Sequence, residues 1–242
     1  MEKIDYREIA YQAEKFRNDY ALNNSEPINC KALLWKLNIL TVYKPLSSNF
    51  SGMCLKKNDT RFMLINSDNP RGRQHYTIAH ELYHLYVQTD FTPHICNPDT
   101  SRIDDINEKK ANVFAAHLLM PENGLRNTIP EGELKSKSLS ISTILKLEQI
   151  YSVSHSAMLN RLLFLGFLTK EQYDVFNSLK IQQVALEYGF GLDLYKKGNE
   201  GVIIGDYGVR AKDLFSQSKI SESHYYELMN AIGFDPTTDT NE

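Results

Sequence analysis

The sequence predicts an α+β protein in two parts. Residues 1–125 form a core with a small sheet and one central helix, and residues 126–242 form a mainly helical accessory region. Three observations carry this. Residues 74–88 place Ile78, Leu82 and Leu85 at helical spacing with no Pro or Gly between them. Residues 51–57 and 61–66 read as two strands around Asn58-Asp59-Thr60, a hairpin pattern. Beyond Pro121 the composition shifts, and apolar runs with helix caps follow.

Residues 4–22 have an amphipathic pattern, with Ile4, Ile9, Ala13 and Phe16 or Tyr20 on the side to be buried. Residues 23–27 are a turn, and 29–37 form a second helix whose Trp35, the only Trp, is expected in the core. Ile39–Tyr43 is a short strand that precedes the hairpin, and its second strand, Phe62–Asn66, is a candidate to pair with an extended substrate. The other reading of that strand is an ordinary interior one. Residues 68–73 are a turn in which Arg71 and Arg73 either anchor the following helix or meet a substrate carboxylate. Residues 90–104 are a loop expected to rim or cover the cleft.

After Pro121, residues 122–138 read as a boundary loop. Residues 141–151, the turn 152–154 and residues 155–168 read as helix, tight turn, helix, with Ser154 as N-cap of the second. Thr169-x-x-Gln172 is a capping box that opens a helix over 171–188. Val202-Ile-Ile204 is a short strand, residues 207–217 and 221–232 are the last helices, and residues 235–242 are a frayed tail.

The chemistry concentrates in His80-Glu81-Leu82-Tyr83-His84. Four residues make about one helical turn, so His80 and His84 lie on one face. Two imidazoles so placed suit one Zn²⁺, and Glu81 is placed to take a proton from a water that the metal activates. The alternative is a chance string on a helix face. Tyr76, one turn earlier, shares the face and either approaches the cleft or packs.

A catalytic zinc takes three protein ligands. The later candidates are His94, Cys96, Asp99, Asp104, Asp105, Glu108 and His117. Glu108 is favoured. It opens a helix over 107–120 on which Ala111, Asn112 and Ala115 share its face, and these small residues let two helices approach. Asn112 could orient a ligand from behind. The competing reading makes Glu108 a helix-start residue, in a capping box with Asp105. His117 lies on the opposite side and reads as a surface or rim residue.

Residues 73–84, RQHYTIAHELYH, followed by residues 108–121, EKKANVFAAHLLMP, resemble the ImmA/IrrE metallopeptidases, most strongly over residues 50–121. The resemblance implies a zincin-like metallopeptidase domain over 1–125 with zinc as cofactor. It implies His80, His84 and Glu108 as metal ligands and Glu81 as the catalytic base. It also implies a zinc endopeptidase that cleaves a helix-turn-helix transcriptional repressor and so relieves repression of phage, mobile-element or stress genes. Tyr83 departs from the pattern, because the family usually has Gly there.

Composition excludes other classes. A net charge of −3 argues against a protein whose main partner is nucleic acid gripped through its phosphates. Three cysteines, at 30, 54 and 96, make no disulfide framework or CxxC pattern and read as small apolar residues. No stretch approaches 18 apolar residues and the start lacks a signal region, so a cytoplasmic protein without a membrane partner is expected. The sequence fixes no oligomeric state. Two alternatives stay open. One is a non-catalytic regulator that keeps the zinc fold and binds a repressor. The other is a DNA-binding regulator that uses residues 141–168 with Arg161 and Lys170. Against the latter, the second helix is very apolar, which favours packing or partner docking.

Overall fold

The structure is a computed structural model, and it describes residues 4–90, 95–96 (backbone only) and 106–234. The N-terminal part runs α1 (Tyr6–Asp19), α2 (Cys30–Lys36), β1 (Ile39–Lys44), β2 (Gly52–Lys57), β3 (Thr60–Asn66), α3 (Arg71–Tyr86), β4 (Ile95–Cys96) and α4 (Ile106–Leu119). There follow α5 (Glu122–Thr128), α6 (Glu131–Ser136), α7 (Ile141–Tyr151), α8 (His155–Phe164), α9 (Lys170–Asn177), α10 (Ile181–Glu187), a 3-10 turn at Asp193–Tyr195, β5 (Ile203–Ile204), α11 (Tyr207–Ser216) and α12 (Glu222–Ala231). The fold is the expected α+β mixture.

The sheet order is β4-β2-β3-β1-β5. β2 and β3 form the expected antiparallel hairpin, with Lys57 opposite Thr60 and Asn58 in the left-handed region at φ 53°. That conformation suits Asn. β1 pairs with β3 in parallel, Ile39 opposite Arg61. The candidate substrate-pairing strand Phe62–Asn66 is therefore corrected: it lies between β2 and β1, and both its edges are already hydrogen-bonded. Ile39, Tyr43, Cys54, Met63 and Ile65 alternate onto the buried face. α3 packs against this hairpin, α4 against α3, and α1 against α4. At Gly52 a Cβ would stand 2.5 Å from Thr77 Cγ2, so the absence of a side chain sets how closely β2 meets α3.

The start of α3 has no side-chain cap. Gln74 fixes it instead. Its Nε2 donates to the carbonyls of Ser67, Asn69 and Gly198, and its Oε1 accepts from Asn199. The end of α4 is held by two buried arginines. Arg17 donates through Nε and Nη2 to the Leu118 carbonyl and through Nη1 to those of Asn23 and Glu26. Arg161 donates to the Met120 carbonyl. Cations at the last carbonyls of a helix oppose its dipole favourably.

Several sequence expectations are corrected. Trp35 is 59% exposed. Cys30, Leu33, Leu34 and Leu37 occupy the buried face of α2 and turn Trp35 outward. Residues 122–138 are two short helices, not a loop. Each follows a proline that pre-sets φ, and each carries an i,i+4 ion pair, Glu122–Arg126 and Glu131–Lys135. The helix expected over 171–188 is broken at 178–180, where Ser178 Oγ donates to the Val175 carbonyl. α8 stops at Phe164, ahead of Gly166 at φ 71°. Ser154 and the Thr169–Gln172 capping box sit as expected.

One hydrophobic cluster contains Ile9, Ile65, Leu82, Phe114, Leu147, Leu162 and Ile204, so residues on both sides of 125 share it. Cys30 and Cys54 are buried within it, and burial pushes the Cys30 thiol up to about 12. No helix among the described residues is long and apolar enough to cross a membrane. The expected tail at 235–242 lies outside the described residues.

Candidate metal centre

α3 is buried over nearly its whole second half. Ile78, Leu82 and Leu85 face the sheet and core, while His80, Glu81 and His84 are also almost fully enclosed. α4 crosses beside it and brings Glu108 over the two histidines. Ala111 and Ala115, both completely buried, keep this approach short. His80 Nε2 lies 3.2 Å from Glu108 Oε2, His84 Nε2 lies 3.2 Å from Glu108 Oε1, and the two Nε2 atoms are 3.2 Å apart.

The opposite ring nitrogens define the tautomers. His80 Nδ1 is 3.1 Å from Asn112 Oδ1, and His84 Nδ1 is 2.5 Å from Gln88 Oε1. A carboxamide oxygen only accepts, so each Nδ1 carries a proton, and in the neutral ring each Nε2 points a lone pair at Glu108. Two imidazole lone pairs and a carboxylate oxygen thus converge. These acceptors repel one another unless a cation lies among them. Metal–ligand distances of about 2.0–2.1 Å in tetrahedral geometry place neighbouring ligands about 3.3 Å apart, which matches the three spacings. His80, His84 and Glu108 also form the one three-residue set of metal-ligating type, within 4.8 Å, among the described residues.

Glu81 is the second feature. Its side chain has no exposure, and neither carboxylate oxygen has a hydrogen-bond partner among the described residues. A buried carboxylate without donors is costly. Beside a cation site, however, it is placed to accept a proton.

The other sequence-predicted residues separate cleanly. Asn112 stands behind His80, as its place on the helix predicts. Tyr76 does not present its hydroxyl to the ligands: it donates to the Asn112 backbone carbonyl at 2.8 Å. Tyr83 turns away from the cleft. It is 4% exposed, its ring meets that of His84 edge-on at 5.4 Å and that of Phe114 at 5.7 Å, and so it supports His84 from the core. His117 is half-buried and contacts Arg161, remote from the ligand set. Burial, then the charge of Arg161, lowers its pKa to about 4. His94, Asp99, Asp104 and Asp105 lie outside the described residues, as does the side chain of Cys96. Sequence reasoning missed Gln88 as the partner of His84. Its signal was the i,i+4 spacing from that histidine.

Arg161, required by the DNA-binding alternative, is 3% exposed and turned inward, and Lys170 is paired with Asp174. Residues 141–164 form two helices, α7 and α8, joined by a turn. The residues buried on α8 are His155, Met158, Leu159, Arg161 and Leu162, so this helix is a packing element whose one arginine cannot reach a phosphate backbone.

A helix bearing His-Glu-x-x-His, backed by a small sheet and faced by a glutamate from the next helix, is compatible with a metallopeptidase-type centre. The family comparison agrees. The profile of peptidase M78, described as the IrrE N-terminal-like domain, matches residues 35–163, just over half of the chain, and the chain belongs to this family. Comparison with curated proteins returned no match.

Proposed function

We propose that this M78 peptidase is a cytoplasmic zinc-dependent endopeptidase that cleaves a helix-turn-helix transcriptional repressor. The observation that carries the catalytic reading is the convergence of three acceptor atoms at 3.2 Å beside the unpartnered, buried carboxylate of Glu81. His80, His84 and Glu108 would hold the metal, and the mix of imidazole and carboxylate suits zinc. Bound there, zinc supplies Lewis acidity that polarises a scissile carbonyl and acidifies a water.

The protein's own residues do the rest. Glu81 accepts the proton of the attacking water on a carboxylate oxygen and returns it to the leaving amine nitrogen. Asn112 and Gln88 hold the two imidazoles with Nε2 unprotonated toward the site. Tyr83 and Phe114 exclude water from behind His84. The repressor as substrate rests on the resemblance of residues 73–84 and 108–121 to the ImmA/IrrE peptidases.

Co-expression with the repressor-like protein encoded beside this gene tests the proposal, wild type against Glu81→Gln, with cleavage read on a gel. Fragments with wild type alone are expected. An intact repressor in both lanes, from protein that carries zinc, would overturn cleavage of that substrate and favour a regulator that acts by binding.

A further inference from the structure

A cavity of about 640 Å³ lies between the first turns of α3, the middle of α4 and α8. Small-molecule sites typically span about 300–1,000 Å³. His80, His84 and Glu108 do not line it. It meets the metal centre only from behind, through Tyr76 and Asn112. Among the described residues that line it, Arg73 and Arg161 are cationic and none is acidic.

Arg161 is the informative group. Arg17, the other buried arginine, shows what a purely structural arginine looks like here: its three nitrogens are spent on the carbonyls of Leu118, Asn23 and Glu26. Arg161 is equally buried, yet only its Nε reaches a carbonyl, that of Met120 at 3.0 Å. Its two terminal nitrogens face the ring nitrogens of His117 at 3.2 and 3.1 Å. A neutral imidazole has one lone pair, so it satisfies one of their four N–H groups. Three are left without an acceptor among the described residues, and no carboxylate there forms an ion pair with this guanidinium. The end of α4 offers about half a negative charge, and Arg17 already draws on it. Burial lowers the Arg161 pKa to about 10, against a smaller raising effect of the Glu122 charge, which forms no ion pair with it among the described residues. An unpaired buried cation on a cavity wall is costly unless an anion answers it.

The remainder of the wall suits an organic body. Tyr6 and Phe164 stand at the mouth with ring centroids 5.7 Å apart, both about half exposed, and Ala116 and Ala157 line the interior.

We infer that this cavity is a binding site for a small organic anion, a phosphate monoester or carboxylate whose head meets Arg161 and whose apolar body lies against Tyr6 and Phe164. Asn112 belongs to the cavity wall and to the support of His80, so the occupant touches a side chain that holds a residue of the metal centre.

Calorimetric titration of the full chain with phenyl phosphate tests this. It is run on zinc-loaded and on metal-stripped protein, so the result does not depend on the zinc reading. Binding is expected in both forms, at least tenfold tighter than that of inorganic phosphate. It should weaken at least tenfold in Arg161→Gln. Ser156→Asp should weaken it equally by setting a carboxylate on the lining at the exposed start of α8, and it leaves the Met120 contact intact should Arg161→Gln fail to fold. No binding at millimolar phenyl phosphate, equal binding by inorganic phosphate, or binding undiminished in folded Ser156→Asp would overturn the inference.

Discussion

Replacing Glu81 by Gln should stabilise the metal-free protein while removing its activity. The side chain has no exposure, and neither oxygen has a partner among the described residues. A buried ion without donors costs several kcal/mol after relaxation, whereas an unsatisfied neutral amide costs about 1–3 kcal/mol. Glutamine has nearly the same shape, so packing is unchanged. The difference leaves the variant more stable by about 1–3 kcal/mol, with the two costs taken together. At about 2–4 °C per kcal/mol for a chain of this size, Tm rises by roughly 2–12 °C. Loss of the general base lowers turnover by about 10²–10⁴-fold. Thermal melts in chelator, together with the co-expression cleavage assay, read both quantities. A lower Tm would refute the reasoning, because it would mean that the carboxylate is held by structural partners. Retained cleavage would remove Glu81 from the proton transfer.

Other consequences follow from the same contacts. Asn112→Ala removes the acceptor of His80 Nδ1 and should weaken zinc binding by about 10–100-fold in competition with a chromophoric chelator; unchanged affinity would show that the tautomer is set elsewhere. Tyr83→Gly, which installs the family's usual residue, should cost about 3–5 kcal/mol for the lost aromatic packing and about 1 kcal/mol for a helix-interior glycine, read by urea unfolding; a loss below about 1 kcal/mol would contradict its core role. The buried pair His155–Glu148, with Nδ1 2.6 Å from Oε1, gives a pH signature. Burial of His155 opposes its charge, but the hydrogen bond and charge of Glu148, with the Phe176 carbonyl, raise its pKa overall. A raised value adds stability that is full below the unfolded pKa, about 6.5, and is lost as pH rises through the folded one. Wild type should therefore lose stability relative to His155→Gln across that window, and parallel pH curves would contradict the pairing.

Much of the site was legible because helical spacing fixes it. His80, Glu81 and His84 needed only the period of α3, and Asn112 needed only its position one turn after Glu108. That Glu108 reaches the histidines was readable from Ala111 and Ala115, because small residues permit the close crossing. Illegible were features set by tertiary partners. Whether Phe62–Asn66 lies at an edge depends on β1 returning parallel beside β3, which no local pattern encodes. Trp35 was placed inside by its hydrophobicity, although Leu33 and Leu34 had already claimed the buried face. Arg161 reads in sequence only as a cation for the DNA-binding alternative; its burial depends on α8 docking against the end of α4. The direction of Tyr83, into the core beneath His84, likewise required the position of Phe114 on the neighbouring helix.

The central claim is that His80, His84 and Glu108 together hold a catalytic zinc. The most direct measurement is the metal content of the purified full chain beside Glu108→Ala, both confirmed folded and both offered equal zinc. The account predicts one zinc per chain in wild type and at least a tenfold loss in the variant. Full zinc in Glu108→Ala, or none in wild type, would contradict it.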